Sequence, residues 1–400
     1  MTDVLASKFG AFLLFPEERY YGVSLPFGSE SFSPENAKYL STKQVLEDIV
    51  KIVLDVKTNF RQDASTCPVI AFGGSYGGTL TTFLRASHPD VVIGGLASSA
   101  PIGYYDVEGW PKHGVDEFTW SDIVYRVYDE ASEGCVDAIE SASNLLMRSD
   151  EDKIQHLFNM CEKQGLGPRQ DSLFMYALES IPQLNYPYGV NALPAWPVNA
   201  TCNILLDAKD DDDTLLSAAA NITTLALFSG SQSSDCHQTL EEGPGGVPGD
   251  GPGGRNAWSF QSCTETLHEF SSRGIRNFTF SYDRESELCR KTFDATTSPD
   301  PRALTREFGG YELSDGGMKM SNIIWSNGIL DPWHGGGFLK DSDFVKDDHG
   351  KHWIRLWKGA HHYDLRGPHP DDTDEVLRVR EYEEKVIWNW IKDAHFEKDN

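Results

Sequence analysis

The stretch AFGGSYGGTL, residues 71–80, decides how this chain is read. It overlaps the short apolar run PVIAF (68–72), which predicts a strand buried on both faces. It runs into TLTTFLRAS (79–87), which predicts a helix with Leu80, Phe83 and Leu84 on one side. Between the two, Gly73 and Gly77 flank Ser75 in a G-x-S-x-G pattern. Such glycines permit a crowded turn that lifts a serine Oγ clear of the strand end. The next backbone N–H, that of Tyr76, then faces the oxygen on which negative charge develops. The alternative is a flexible glycine-rich loop. The two readings separate on whether the rest of the chain supplies an acid and a base in a consistent order.

Working outward, the flanking sequence alternates between strand and helix signals. AFLLFPE (11–17) reads as a buried strand, and STKQVLEDIVKIVLDVK (41–57) as a helix. Ser41 and Gln44 form a capping-box pattern, and Val45, Ile49, Ile52, Val53 and Val56 form one apolar stripe. VVIGGLASSA (91–100) is the next strand. This rhythm predicts a doubly wound, mostly parallel α/β sheet. From about 104 to 225 it breaks into helical segments: 121–147, 151–161 and 171–181. TTLALFSG (223–230) reads as a strand, and the Gly/Pro-rich run 241–256 as a loop. Strand signals return in SNIIWSNG (321–328) and HWIRLWKGAHH (352–362), and residues 374–391 read as a closing helix. The expected organisation is a sheet domain in two parts, 1–103 and 226–400, interrupted by a helical insertion, 104–225.

Composition narrows the function classes. A net charge of −26 argues against nucleic acid and anionic membranes as partners. No segment reaches the ~18 apolar residues needed to span a bilayer. None of the seven cysteines forms a C-x-x-C pair, which argues against zinc, and no metal site is expected. Six of them, between Cys135 and Cys289, are widely spaced, as in disulfides. Sequons at Asn199, Asn221 and Asn277 fall in the same region, and together these features favour the secretory pathway.

Serine-based acyl transfer needs a base in hydrogen-bond reach of the hydroxyl and a carboxylate to orient that base. Asp331, in NGILDPWHGGG (327–337), follows a strand, and Pro332 restricts its backbone. Its plain alternative is an Asp-Pro turn. His361, in GAHHYDLR (359–366), follows the next strand, with His362 as the second choice of base. The order Ser75, Asp331, His361 is that of α/β hydrolases. The remaining histidines are read as structural or surface residues.

These residues resemble the lysosomal Pro-X carboxypeptidase and dipeptidyl peptidase II family of serine peptidases. The resemblance rests on ERYYGVSLPFG, GGSYGGTL, LASSAPI, LPAWP, WSFQSCTE, SNGILDPWHGGG and GAHHYDLR. It implies an α/β hydrolase with a helical cap that cuts peptides after proline. It assigns Ser75 as nucleophile, Asp331 as acid and His361 as base, with Trp333 walling a proline pocket and Thr79 beside it. It implies the bridges Cys135–Cys202, Cys161–Cys236 and Cys263–Cys289, with Cys67 left as a buried thiol. It implies no cofactor, short proline-containing peptides as substrates, and a lysosomal, vacuolar or secreted location; a homodimer stays open. The chain departs from the family pattern at Glu18, where a histidine is usual, and at Thr79, where a methionine is usual. Family members carry a signal peptide and the first strands upstream of the segment matching Met1. The resemblance therefore implies an N-terminally incomplete copy, lacking strands and of low activity. Carboxypeptidase and aminodipeptidase remain alternatives, with an esterase or lipase on the same fold more remote.

Overall fold

The computed structural model describes residues 2–61, 64–162, 169–228, 236–237, 257–293, 297–317 and 320–396. One sheet runs in the order β1-β2-β3-β5-β4: β1 (Ile70–Gly74), β2 (Gly94–Ser98), β3 (Ile323–Gly328), β4 (Phe344–Lys346) and β5 (Lys351–Leu356). The first four strands in that order are parallel, with Ala97 opposite Trp325 and Trp325 opposite Trp353. β4 lies antiparallel on the outer side of β5.

Strand alternation divides the core between two faces. Ala97, Ile323, Trp325 and Trp353 share one apolar cluster with Phe83 and Leu84 of the helix that follows β1. Leu96, Ile324 and Ile354 share another with Leu5, Val376, Val379 and Ile387. The helices on these two faces include α1 (Thr2–Phe9), α2 (Thr42–Asp55), α3 (Tyr76–Ser87) and, closing the chain, a long helix over Asp374–Phe396. The sheet is thus covered on both faces, which is the doubly wound arrangement the sequence rhythm implies. α2 starts where its cap is read: Ser41 Oγ accepts from Gln44 N–H, and Val45, Leu46 and Val53 are buried.

The segment between β2 and β3 includes the helices α4 (Thr119–Ala131), α5 (Cys135–Arg148), α6 (Glu151–Leu157), α7 (Ser172–Ser180), α8 (Pro197–Ala208) and α9 (Asp212–Thr223). They bury a separate core that includes Val127, Ile139, Phe174, Leu205 and Leu216. The Cys135–Cys202 disulfide staples α5 to α8, and Cys161–Cys236 and Cys263–Cys289 form the other two bridges. All three pairs are those the family resemblance implies.

Four local expectations are corrected. Residues 11–17 are not a strand: they lack regular structure, and Phe12 and Phe15 are 51% and 71% exposed. An apolar run becomes a strand only beside a backbone with which to pair, and no described strand lies there. TTLALFSG is not a strand over its described part, because Thr224–Phe228 continues α9 as a π-helical turn. Short apolar runs fit either state, and here the preceding helix decides. β1 is only partly buried, because it is the edge of the described sheet. Cys67 is exposed, in a turn closed by its own N–H to Ala64 O at 3.0 Å, and is not a buried thiol. The Gly/Pro-rich run 241–256 falls outside the described residues.

Candidate active site

Ser75 stands between β1 and α3 with φ 58° and ψ −129°, a conformation that a residue with a Cβ adopts only under constraint. The constraint is visible on both sides. Ser75 N–H donates to Ser98 O at 2.9 Å, which ties the turn to β2, and Gly78 and Thr79 N–H donate back to Ser75 O. A Cβ on Gly73 would lie 2.0 Å from Gly77 O, so the chain can double back here only if residue 73 is glycine. This is a sharp turn that presents one hydroxyl, not a flexible loop. Tyr76 opens α3, so its N–H has no partner within the helix. Among the described residues the Ser75 hydroxyl makes no hydrogen bond.

The two loops after β3 and β5 are joined to each other. Ile329 N–H donates to Leu356 O at 2.8 Å and Leu330 N–H to Gly359 O at 3.0 Å. Those bonds bring Asp331 and His361 together: Nδ1–H of His361 donates to Asp331 Oδ2 at 2.6 Å. Asp331 is fully buried and His361 is 8% exposed. The other carboxylate oxygen of Asp331 accepts Trp333 N–H at 3.1 Å, capping the short 3-10 turn Pro332–Gly336. Both oxygens are thereby aimed. His334, read as structural, contributes too: its Nδ1 lies 2.6 Å from Asp331 O.

His362 points elsewhere. Its ring lies 3.0 Å from where a Cβ on Gly74 would stand, and its N–H donates to Ser99 Oγ at 2.8 Å. Burial, and then the neighbouring His361, lower its pKa to about 4, so it is neutral above that. Of the two adjacent imidazoles, only the first is held by a carboxylate.

Trp333 is one wall of an aromatic cluster. Trp120 packs edge-on at 4.3 Å between ring centroids, His268 at 5.1 Å and Phe270 at 6.0 Å. Burial lowers the pKa of His268 to about 3, so it behaves as an uncharged ring in this wall. Thr79 is fully buried on α3, its hydroxyl without a partner. Tyr76 Oη accepts from Gln261 Nε2 at 2.8 Å and lies 2.9 Å from Thr42 Oγ1. Thr42 gives both its N–H and its hydroxyl to Glu265, at 2.6 and 2.7 Å. With the threonine proton committed, Tyr76 donates to Thr42. Glu18 lies in the same cluster, and burial, followed by Glu265, raises its pKa to about 8.

Asn199, Asn221 and Asn277 are all exposed. Among the described residues no group of three His, Cys, Asp or Glu could hold a metal ion, and no helix is long and apolar enough to cross a membrane. Sequence reasoning missed Trp120, His268 and Phe270. It also missed Gln183 and Tyr186, which bond to the His361 backbone. The aromatic residues carry no local signature that separates a site wall from a core. The other two act on a loop 175–178 positions away.

A doubly wound sheet with a strained serine after its first described strand, and a His–Asp pair after two later ones, defines an α/β hydrolase. The serine carboxypeptidase S28 family profile matches residues 2–383. The chain belongs to that family and is a serine-type peptidase. It is 34% identical to prolyl carboxy peptidase like protein 5 of Caenorhabditis elegans, over 97% of this chain and 78% of the relative. It is 31% identical to lysosomal Pro-X carboxypeptidase of Mus musculus, over 99% and 78%. The thymus-specific serine protease of Mus musculus is 23% identical, over 97% and 76%.

Proposed function

We propose that this chain is an exopeptidase that cleaves after proline, acting as a Pro-X carboxypeptidase, with Ser75, Asp331 and His361 as its catalytic triad. The observation that carries the reading is the 2.6 Å bond from His361 to a fully buried Asp331, on a sheet whose first described strand ends in a strained serine. The names of the relatives supply the substrate class. In this mechanism Ser75 Oγ attacks the prolyl carbonyl while its proton passes to His361 Nε2. Asp331 accepts the Nδ1–H throughout, which fixes the tautomer and stabilises the imidazolium. The Tyr76 N–H stabilises the oxyanion, worth about 3 kcal/mol of barrier for one such donor. The tetrahedral intermediate collapses, His361 protonates the departing nitrogen, and water then releases the prolyl acyl group from Ser75.

The aromatic wall around Trp333 takes the proline ring, with Thr79 as a neighbour behind the turn. Helices α4 to α9, within the segment 104–225, serve as a cap that limits access to short peptides. The disulfides, the exposed sequons at Asn199, Asn221 and Asn277, and the lysosomal relatives support a lysosomal or secreted glycoprotein.

The decisive experiment offers two substrates separately: a peptide with free Pro-Phe at its C-terminus, and an Xaa-Pro amide reporter. Release of phenylalanine is the expected result. Turnover of the reporter alone replaces the reading by an aminodipeptidase. Turnover only of a long-chain ester replaces it by a lipase-like activity.

A further inference from the structure

His361 sits in a loop beyond the end of β5, yet both of its backbone polar groups are bonded from one segment of the helical layer. Its N–H donates to Gln183 O at 3.0 Å, and Tyr186 Oη donates to His361 O at 2.6 Å. The same segment reaches the acid loop, where Trp333 Nε1–H donates to Gln183 Oε1 at 3.3 Å. Tyr186 is 1% exposed, stacks on Tyr188 and lies beneath the Arg366 guanidinium, 4.3 Å from its ring. The short turn Pro182–Leu184 follows directly on α7, whose Phe174 and Leu178 belong to the core of the helical layer. A continuous set of contacts therefore runs from that core to the backbone of the imidazole-bearing residue.

The bond to Asp331 fixes one ring atom only. The ring can still swing about that bond unless the backbone that carries it is also fixed. We propose that Gln183 and Tyr186 are positioning residues, so that the aim of His361 Nε2 depends on how the helical layer seats on the sheet. This rests on His361 being the base. Gln183 O and Tyr186 Oη hold the two ends of its peptide environment, and Gln183 Oε1 holds the aromatic residue two places after Asp331. Acid and base loops thus share one clamp from outside the sheet. An error of about 1 Å in such a group costs on the order of 100-fold in rate.

The test uses Tyr186→Phe, which removes the bond to His361 O but keeps the ring and its stacking, and the pair Gln183→Leu and Gln183→Glu, which both leave the Gln183 carbonyl on His361 N–H and differ in whether Trp333 Nε1–H keeps its acceptor. Labelling of Ser75 by a fluorophosphonate is timed for each, on protein eluting at the wild-type volume, with His361→Ala as reference. Tyr186→Phe and Gln183→Leu are expected to label roughly 10- to 100-fold more slowly, with kcat on the Pro-Phe peptide falling in proportion and KM changing less than about threefold. Gln183→Glu is expected to recover most of the rate. Wild-type labelling rates in both Tyr186→Phe and Gln183→Leu overturn the proposal, as does an undiminished rate in His361→Ala. Because labelling needs no peptide, a wild type that labels but cleaves no prolyl substrate overturns the post-proline reading alone, and the labelling ratios still decide the positioning.

Discussion

The nucleophile turn and the base-bearing loop meet where His362 packs against Gly74, yet they are held in opposite ways. The turn is fixed locally. Its strained φ, its glycines and its bonds to Ser98 all lie within residues 73–98. The loop at 359–362 is fixed remotely, by Asp331, Gln183, Tyr186 and Ser99. A turn made of its own residues survives rearrangement elsewhere. A loop held by four distant groups reports on all of them, so damage at the first site should be all-or-none and damage at the second graded.

Removing the hydroxyl is the harshest way to probe that contrast. Ser75→Ala should lower kcat by about 10⁶-fold, with little change in the unfolding midpoint, since the turn keeps its backbone bonds. Asp331→Asn should cost about 10⁴-fold, because an amide cannot hold the same imidazole tautomer. Steady-state kinetics on the Pro-Phe peptide, paired with thermal unfolding, measure both. If Asp331→Asn cost as much as Ser75→Ala, the loop would be as indivisible as the turn and the contrast would fail.

The same contrast explains what could be read from the sequence. The turn was legible because the residues that shape its backbone, Gly73, Ser75 and Gly77, lie within ten consecutive residues; only its tie to Ser98 lies outside them. The α2 cap at Ser41 and the stripe through Val45 and Val53 were legible for the same reason. The triad candidates were found by order along the chain, and the disulfide pairs through family resemblance. Gln183 and Tyr186 were not found, because nothing at 183–186 records that the chain will bring His361 there. The misread strands at 11–17 and 223–230 fail for the related reason that pairing is a property of neighbours, not of an apolar run. Cys67 shows it in miniature: adjacency to a strand did not make it buried.

Staples in the helical layer give the next largest effect. Cys135 and Cys202 are fully buried and close a separation of 67 residues. Replacing both with alanine should cost about 4 kcal/mol by loop-closure entropy, read from urea unfolding. If the helical layer aims the base, this double variant should also lose activity at denaturant concentrations where the sheet's own spectroscopic signal is unchanged. The turn gives the converse. Gly73→Ala puts a Cβ 2.0 Å from Gly77 O and should cost about 3 kcal/mol while abolishing fluorophosphonate labelling outright.

The smallest effect concerns Glu18, beside the Tyr76 network. Burial, followed by the charge on Glu265, raises its pKa from 4.5 to about 8. The folded chain therefore holds a proton that the unfolded chain has released between those two values. Where the native state binds more protons, stability falls as pH rises. The loss begins near the unfolded pKa, grows through pH 5 to 8, and levels off once the folded carboxyl also ionises. Below about pH 4 both states are protonated and Glu18 contributes no difference. With the carboxyl only partly shielded from solvent, the loss at neutral pH is on the order of 2 kcal/mol. Glu18→Gln, which cannot ionise, should remove it, so that wild type and variant unfold alike at pH 4 and the variant is the more stable at pH 7.5. Urea midpoints at the two pH values measure this. A variant that keeps the full pH 5 to 8 decline would move the cause to another buried acid, such as Glu383, whose pKa burial raises as well.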